Sequence, residues 1–172
     1  MANAGKNFEE QFRDSIPKDM YWERLKDPSS SFNINQGNGL RFSMNNPYDI
    51  FLYERENKNL ICLELKSTSG TSISYSLEEK KKMIKPHQIK GLKRAYDGGA
   101  KAGFIFNFRD KNVTYWFSII DFLKFNEQSG KKSINENDVI NYGGIVIPQE
   151  LKRVKYRYDI KFLTEVVSKD ER

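Results

Sequence analysis

Apolar positions near the start of the chain recur with the period of a helix. Phe8, Phe12 and Ile16 stand four residues apart, which predicts a helix over 7–15 that ends before Pro17. Residues 20–25 mix apolar and polar side chains and are compatible with a short strand. The chain therefore begins with an amphipathic helix followed by an extended segment.

Beyond residue 46, short apolar runs alternate with helical stripes. The runs predict strands at 48–53, 60–65, 102–108 and 113–119; the stripes predict helices at 86–96, at 122–125 with Asp121 as its cap, and around 160–167. Residues 130–141 look polar and turn-like. The order of helix, strands, helix, strands and helix predicts a single α/β domain over 1–172 with a mixed central sheet.

A polar segment separates the first helix from the apolar strands. Residues 27–46 are rich in Ser, Asn and Gly, and Arg41 is their one basic residue. Loops of this length in a compact domain are usually functional or disordered. We therefore interpret 27–46 as a loop or a protrusion.

Composition narrows the class of protein. The chain has 172 residues, of which 38% are hydrophobic and 30% charged, enough for one domain with a packed core. No apolar run is long enough to span a membrane, and the N-terminus lacks a signal-peptide core. The single cysteine, Cys62, excludes an intramolecular disulfide and is interpreted as a buried small hydrophobe. We expect a cytoplasmic protein without a membrane partner.

The charge balance favours a polyanionic partner. The net charge is +6, and residues 78–101 hold eight Lys or Arg against three Asp or Glu. Solvated helix faces explain the same charges about equally well.

Most catalytic residue sets are missing from the sequence. His87 is the only histidine, so a histidine-rich metal site is excluded. Neither the glycine-rich phosphate-binding loops nor the serine-hydrolase motif occurs. The chemistry is therefore left to carboxylates and lysine.

Carboxylates and a lysine converge at the end of the predicted hairpin. Alternation along the strand at 60–65 places Glu64 and Lys66 on one face, and the turn at 54–59 brings Asp49 opposite Glu64 to Lys66. Two carboxylates beside a lysine can hold Mg²⁺, which prefers oxygen ligands and keeps several waters. The alternative is a surface hairpin with a Glu–Lys ion pair of little energetic value.

The ordered set of these motifs resembles a known family. Asp49 followed by Glu64-x-Lys66 resembles the PD-(D/E)xK nuclease motif, which is weak by itself. The chain more specifically resembles the RecU family of Holliday junction resolvases from Gram-positive bacteria and their phages. The matching pieces, in family order, are Gly5-Lys6-Asn7-Phe8-Glu9, Tyr48-Asp49, Glu64-Leu65-Lys66-Ser67-Thr68, Pro86-His87-Gln88-Ile89 and the segment from Gly98-Gly99 to Gly103-Phe104-Ile105.

The resemblance implies a restriction-endonuclease-like core and a homodimer that cuts four-way DNA junctions by paired nicks. It implies Mg²⁺ as the cofactor, with Mn²⁺ as a substitute. On it, Asp49, Glu64 and the Leu65 carbonyl would be metal ligands, and Lys66 would position the attacking water.

Two further site residues follow from the resemblance. Glu9 stands four residues after Gly5, as in the family, and would approach the site from the first helix. Gln88 would touch the site or the scissile phosphate. The alternatives are that Glu9 is an ordinary helix-surface acid and that Gln88 merely lies in the first exposed turn of a helix. His87 is interpreted as structural.

DNA contacts are expected from basic residues around the second helix. The candidates are Lys85, Lys90, Lys93 and Arg94, together with Arg41. Segment 27–46 occupies the place of the family's junction-inserting stalk but is shorter, so Arg41 could either contact a phosphate or only keep the loop soluble. The competing functions are a restriction-like or repair endonuclease and a non-catalytic nucleic-acid-binding module.

Overall fold

The computed structural model describes residues 4–25, 45–79 and 81–169. Arg41 and nearly all of the predicted protrusion at 27–46 lie outside these residues. The described helices are α1 (Ala4–Asp14), α2 (Pro86–Asp97), α3 (Ile119–Ser129), α4 (Glu136–Asn141) and α5 (Ile160–Lys169). The described strands are β1 (Tyr21–Arg24), β2 (Ile50–Glu54), β3 (Asn59–Thr68), β4 (Ser72–Ser74), β5 (Lys101–Phe108), β6 (Val113–Ser118), β7 (Ser133–Asn135), β8 (Ile145–Val146), β9 (Gln149–Lys152) and β10 (Lys155–Tyr158).

Six strands form the central sheet, in the order β1-β2-β3-β5-β6-β8. The β3–β5 pair is parallel, whereas the other neighbours are antiparallel. The pairs β4–β7 and β9–β10 form two small additional sheets. The predicted α/β architecture with a mixed central sheet is therefore confirmed.

Helices cover both faces of the sheet. Phe8 and Phe12 of α1 and Leu163 of α5 pack on one face with the alternating residues Ile61, Leu63 and Leu65 of β3. Helices α2 and α3 cover the other face, where Ile89, Leu92 and Phe122 pack with Cys62 and Phe104. Strand β3 thus has a helix layer on each side, and Cys62 is buried as predicted.

The β2–β3 hairpin has the register that places the site. Ile50 pairs with Leu63 and Phe51 with Cys62, so the ladder extrapolates to Asp49 opposite Glu64, as predicted. Because strand residues alternate between faces, Glu64 and Lys66 leave β3 on the face that α2 covers.

Two local predictions were wrong, and one hairpin was missed. Asp121 is not the cap of a short helix, because the hydroxyl of Ser118 accepts a bond from the Asp121 amide and caps the longer helix α3. Residues 130–141 are not only a turn: they form β7 and α4, whose first turn is fixed by the Asn135–Asp138 capping box. The hairpin of β9 and β10 was not predicted.

No helix within 4–25, 45–79 and 81–169 has the length and apolar character to cross a membrane.

Candidate active site

Strand β3 presents a buried carboxylate and a lysine side by side. Glu64 is fully buried, and the Lys66 ammonium donates to its Oε1 at 2.6 Å. The Lys66 side chain is 16% exposed, so its head lies near the opening of the site. The pair is therefore not the exposed surface ion pair that was the alternative interpretation.

Asp49 continues the β2–β3 ladder with its side chain. Its backbone amide donates to the Leu63 carbonyl at 3.0 Å, and its Oδ2 accepts from the Leu65 amide at 2.8 Å. In an extended strand, the N–H and C=O of one residue point to the same side. The Leu65 carbonyl is therefore directed to the edge of β3 on which the Asp49 carboxylate lies.

Gln88 joins helix α2 to the carboxylates. Its Oε1 accepts from the Lys85 amide at 2.9 Å, in the first turn of α2, which begins at Pro86. Its Nε2 donates to Glu64 Oε1. Gln88 is thus buried with both ends of its amide held, and it is not a free polar residue of an exposed turn.

Glu9 reaches the site from the face covered by α1. It is half-buried and forms an ion pair with Arg24 of β1 at 3.5 Å. Burial raises the pKa of Glu9, and the negative charge of Asp49 raises it further, while Arg24 and Lys66 lower it. Its neighbour Glu10 is exposed and pairs with Lys155, so of the two acids Glu9 belongs to the electrostatic field of the site.

The carboxylates of Glu64 on β3 and of Asp49, which directly precedes β2, repel each other when both are charged. Binding of one proton to the pair removes this repulsion. Burial, and then the charge of Asp49, raise the pKa of Glu64 to about 8. Burial also raises the pKa of Asp49, and Lys66 opposes that rise. Such a pair has a high affinity for a proton or for a cation that neutralises it.

The donor set fits a hard cation. Glu64 Oε2 is buried without a hydrogen-bond partner, an arrangement that is costly unless a ligand supplies one. Within the described residues, no group of three or more His, Cys, Asp or Glu side chains could hold a metal ion. Asp49 and Glu64 would thus share the metal with a main-chain carbonyl and water, and Mg²⁺ accepts this mixture.

Basic side chains lie at the start of α2, next to Gln88 in sequence, and along the helix. Lys85, Lys90 and Arg94 are exposed, whereas Lys93 is paired with Asp97 one turn away. A pocket of about 490 Å³ is lined by residues of α2 and of the segment that leads into Asp49. It is lined by Asn45, Pro47, Tyr48, His87, Lys90, Gly91, Arg94 and Ala95. Lys90 and Arg94 therefore line a cleft together with Tyr48 and His87, the sequence neighbours of Asp49 and Gln88, and Lys93 is not among the residues that line it.

A glycine allows α2 to approach the segment before Asp49 closely. A Cβ at Gly91 would lie 2.4 Å from the Cβ of Pro47 and 2.5 Å from its carbonyl oxygen. Only glycine therefore fits at this point of α2. The residue that it contacts, Pro47, lies two residues before Asp49.

Arg24 was missed by the sequence-based search for site residues. Its guanidinium pairs with Glu9, and its charge lowers the pKa of both Glu9 and Asp49. The only sequence signal was its position at the end of the extended segment 20–25, which β1 now places beside β2.

Of the comparisons with known proteins, the match to a family model agrees with the resemblance noted above. The family model Recombination protein U (RecU) matches residues 56–162. The SPbeta prophage-derived uncharacterized protein YotM of Bacillus subtilis (strain 168) is 31% identical over 188 residues, which cover 98% of this chain and 89% of that protein. The solved structure of Archaeoglobus fulgidus Hjc, a Holliday junction resolvase from an archaeal hyperthermophile, has a TM-score of 0.49 and 14% identity, covering 82% of this chain and 93% of that one.

Proposed function

The chain belongs to the RecU family, and from this premise we propose that it is a Mg²⁺-dependent endonuclease that resolves four-way DNA junctions by paired nicks. The family supports the role of Holliday junction resolvase. The observation that carries the chemistry is the Asp49 carboxylate, bonded to the Leu65 amide beside the buried Glu64–Lys66 pair.

The residues that would hold Mg²⁺ are Asp49, Glu64 and the Leu65 carbonyl, with Mn²⁺ as a substitute. When bound, the metal neutralises the two carboxylates and stabilises the negative charge that develops on the phosphate. Without a cation, the same carboxylates would repel a DNA phosphate. The unpartnered Oε2 of Glu64 supports this assignment, because a cation would satisfy it.

Lys66 and Gln88 set the geometry around Glu64. The Lys66 ammonium has three donors, one of which is given to Glu64, so others remain to orient the attacking water. Gln88 holds Glu64 Oε1 from the side of α2 and fixes the rotamer of that carboxylate. Glu9 adds a hydrogen-bond acceptor from the side of α1, and its charge makes the electrostatic potential around the site more negative.

The backbone of the DNA would lie along α2. Lys85, Lys90 and Arg94 are exposed and offer cations for phosphate contacts, which bind without reading sequence. Lys93 contributes less because Asp97 neutralises it. Arg41 remains a sequence-based prediction outside the described residues.

Paired nicks at a four-way junction need two active sites. A homodimer with twofold symmetry supplies them and matches the symmetry of the substrate. We therefore propose a homodimer bound to branched DNA as the active species.

A cleavage assay with a four-way junction and a linear duplex, each with and without Mg²⁺, tests the function. The wild type should nick the junction symmetrically only with Mg²⁺ and should leave the duplex largely intact, and Asp49→Ala should bind but not nick. Cleavage of the duplex with sequence preference would instead identify a restriction-like enzyme. Binding without nicking in either Mg²⁺ or Mn²⁺ would refute the enzymatic proposal, and full activity of Asp49→Ala would refute the site.

A further inference from the structure

A chain of polar side chains begins at the residue that follows Lys66. Ser67 Oγ donates to Asn107 Oδ1 at 2.8 Å and accepts from Arg109 Nη1 at 2.9 Å. Ser67 and Asn107 pair across the parallel strands β3 and β5. The C-terminal ends of parallel strands lie at the same edge of a sheet, so the Arg109 guanidinium is held at the edge that carries Glu64 and Lys66.

The chain of hydrogen bonds has one direction. Asn107 Nδ2 donates to Thr114 Oγ1 at 2.9 Å, Thr114 Oγ1 donates to Gln149 Oε1 at 2.6 Å, and Gln149 Nε2 donates to the Asn112 carbonyl at 2.9 Å. Thr114 is fully buried and Asn107 nearly so. Because the only hydroxyl proton of Ser67 goes to Asn107, the Ser67 oxygen can only accept, and it fixes the Arg109 guanidinium from one side.

Within the part of the chain that the structure describes, Arg109 differs from Lys111 and Lys131 in lacking an acidic partner. Lys111 pairs with Glu136, and Lys131 pairs with Asp138. No ion pair joins Arg109 to an acid among residues 4–25, 45–79 and 81–169, and the hydrogen bond that its guanidinium forms there goes to Ser67. A guanidinium carries five donors in a rigid fork, so most of the fork is left for a ligand.

Arg109 and Lys66 lie on opposite faces of the sheet. Successive residues of a strand point to opposite faces, so Ser67 and Arg109 lie on the face that α1 covers, whereas Lys66 lies on the face that α2 covers. Arg109 therefore reaches the site's edge of the sheet from the face opposite to the basic side chains of α2. A polyanion crossing this edge would meet cations from both faces.

We propose that Arg109 binds a phosphate group of the DNA backbone close to the scissile phosphate. Ser67 positions the Arg109 guanidinium, and the hydrogen bonds through Asn107 and Thr114 hold Ser67 in place. This proposal rests on the proposed function for the identity of the polyanion. A guanidinium fork suits the paired oxygens of a phosphate better than an ammonium does.

Measurement of four-way junction binding as a function of salt concentration, in EDTA so that no DNA is cut, tests the proposal. Arg109→Gln should weaken binding on the order of tenfold and make the slope of log K against log salt less steep by about one. Ser67→Ala should weaken binding by a smaller factor and keep the slope. Arg109→Lys should keep the slope but lose affinity, because the charge remains and the fork is lost.

Lys111→Gln is the matched control, because it removes an exposed positive charge from the same 3₁₀ turn, Arg109–Lys111, where that charge is already neutralised. It should bind like the wild type. Thermal unfolding of every variant separates binding from folding, and Arg109→Lys keeps the comparison valid if Arg109→Gln does not fold.

Wild-type affinity and slope for Arg109→Gln would overturn the proposal, and so would equal losses for Arg109→Gln and Lys111→Gln. A lower melting temperature with unchanged binding would show that Arg109 only stabilises its turn. Failure of the proposed function gives a different result: the wild type would not nick junctions in Mg²⁺, while the effect of Arg109→Gln on DNA binding would remain.

Discussion

The carboxylate of Asp49 accepts the hydrogen bond that a β2 backbone carbonyl would otherwise receive from the Leu65 amide. This replacement takes place just before β2 begins at Ile50, so the ladder ends with a side chain and not with a peptide group. The result is that Asp49 is fixed beside Glu64 by backbone geometry before any cation binds. The preorganisation of the site therefore depends on the register of one hairpin.

Asp49→Asn should separate the structural role of this side chain from its chemical role. The amide oxygen can still accept from Leu65, but the negative charge that would hold Mg²⁺ is gone. We expect junction nicking to fall on the order of a thousandfold, corresponding to several kcal/mol of transition-state stabilisation.

The same variant should be at least as stable as the wild type when metal is absent, because the repulsion of Glu64 by Asp49 is removed. Nicking assays and thermal unfolding in EDTA measure the two effects. An active Asp49→Asn protein would contradict the metal-ligand assignment, and a strongly destabilised one would contradict the hydrogen-bond argument.

The free energy of unfolding of the metal-free protein should fall as the pH rises from about 4.5 to about 8. The folded-state pKa of Glu64 is raised from 4.5 to about 8, so the folded state binds more protons than the unfolded state in this window. Stability then decreases with pH and levels off above the folded pKa. Mg²⁺ competes with the proton, so its stabilising effect should be larger above pH 8 than near pH 6.

Thermal unfolding in EDTA and in Mg²⁺, recorded across this pH range, checks the competition. Glu64→Gln is the control, because it has no proton to lose and should reduce both the pH dependence and the effect of Mg²⁺. An effect of Mg²⁺ that does not depend on pH would argue against metal binding at Glu64.

The sequence predicted the centre of the site better than its surroundings, for a physical reason. Alternation along β3 and the short turn at 54–59 determine the β2–β3 register, so the convergence of Asp49, Glu64 and Lys66 follows from local rules. The hairpin of β9 and β10 gives a weaker signal, because each strand has only four residues and β9 is mostly exposed, so the alternation of charged and aromatic residues within β10 is too short to predict a hairpin. The Ser67–Arg109 contact joins residues that are 42 apart in sequence, and no periodicity reports a single hydrogen bond between side chains.

Lys66→Ala should affect catalysis more than binding of DNA. The lysine donates to Glu64 and is mostly buried, so it contributes little to the exposed basic surface. Loss of a group that orients a water typically reduces the rate by about 10²–10⁴-fold. The substitution should therefore strongly reduce the rate of single-turnover nicking and change the affinity for the junction, measured in EDTA, only slightly. The exposed Lys81→Ala is the control and should lose at most some affinity, whereas equal loss of binding in both variants would make Lys66 a DNA contact.

Gly91→Ala should damage the active site through the backbone of the segment before Asp49. The new Cβ would lie 2.4–2.6 Å from the Cβ, the carbonyl oxygen and the Cα of Pro47. Two of these are backbone atoms, so Pro47 or α2 must shift. Overpacking of this kind costs about 1–3 kcal/mol of stability. Because Asp49 follows Pro47 by two residues, nicking should fall by a larger factor than junction binding in EDTA.

Gly98→Ala is the matched control, because Gly98 lies at the end of the same helix. Its new Cβ would meet its nearest atoms at 3.4 and 3.5 Å, near ordinary contact distance. Gly98→Ala should keep its nicking activity, and an equally active Gly91→Ala protein would show that the Pro47 contact does not position Asp49.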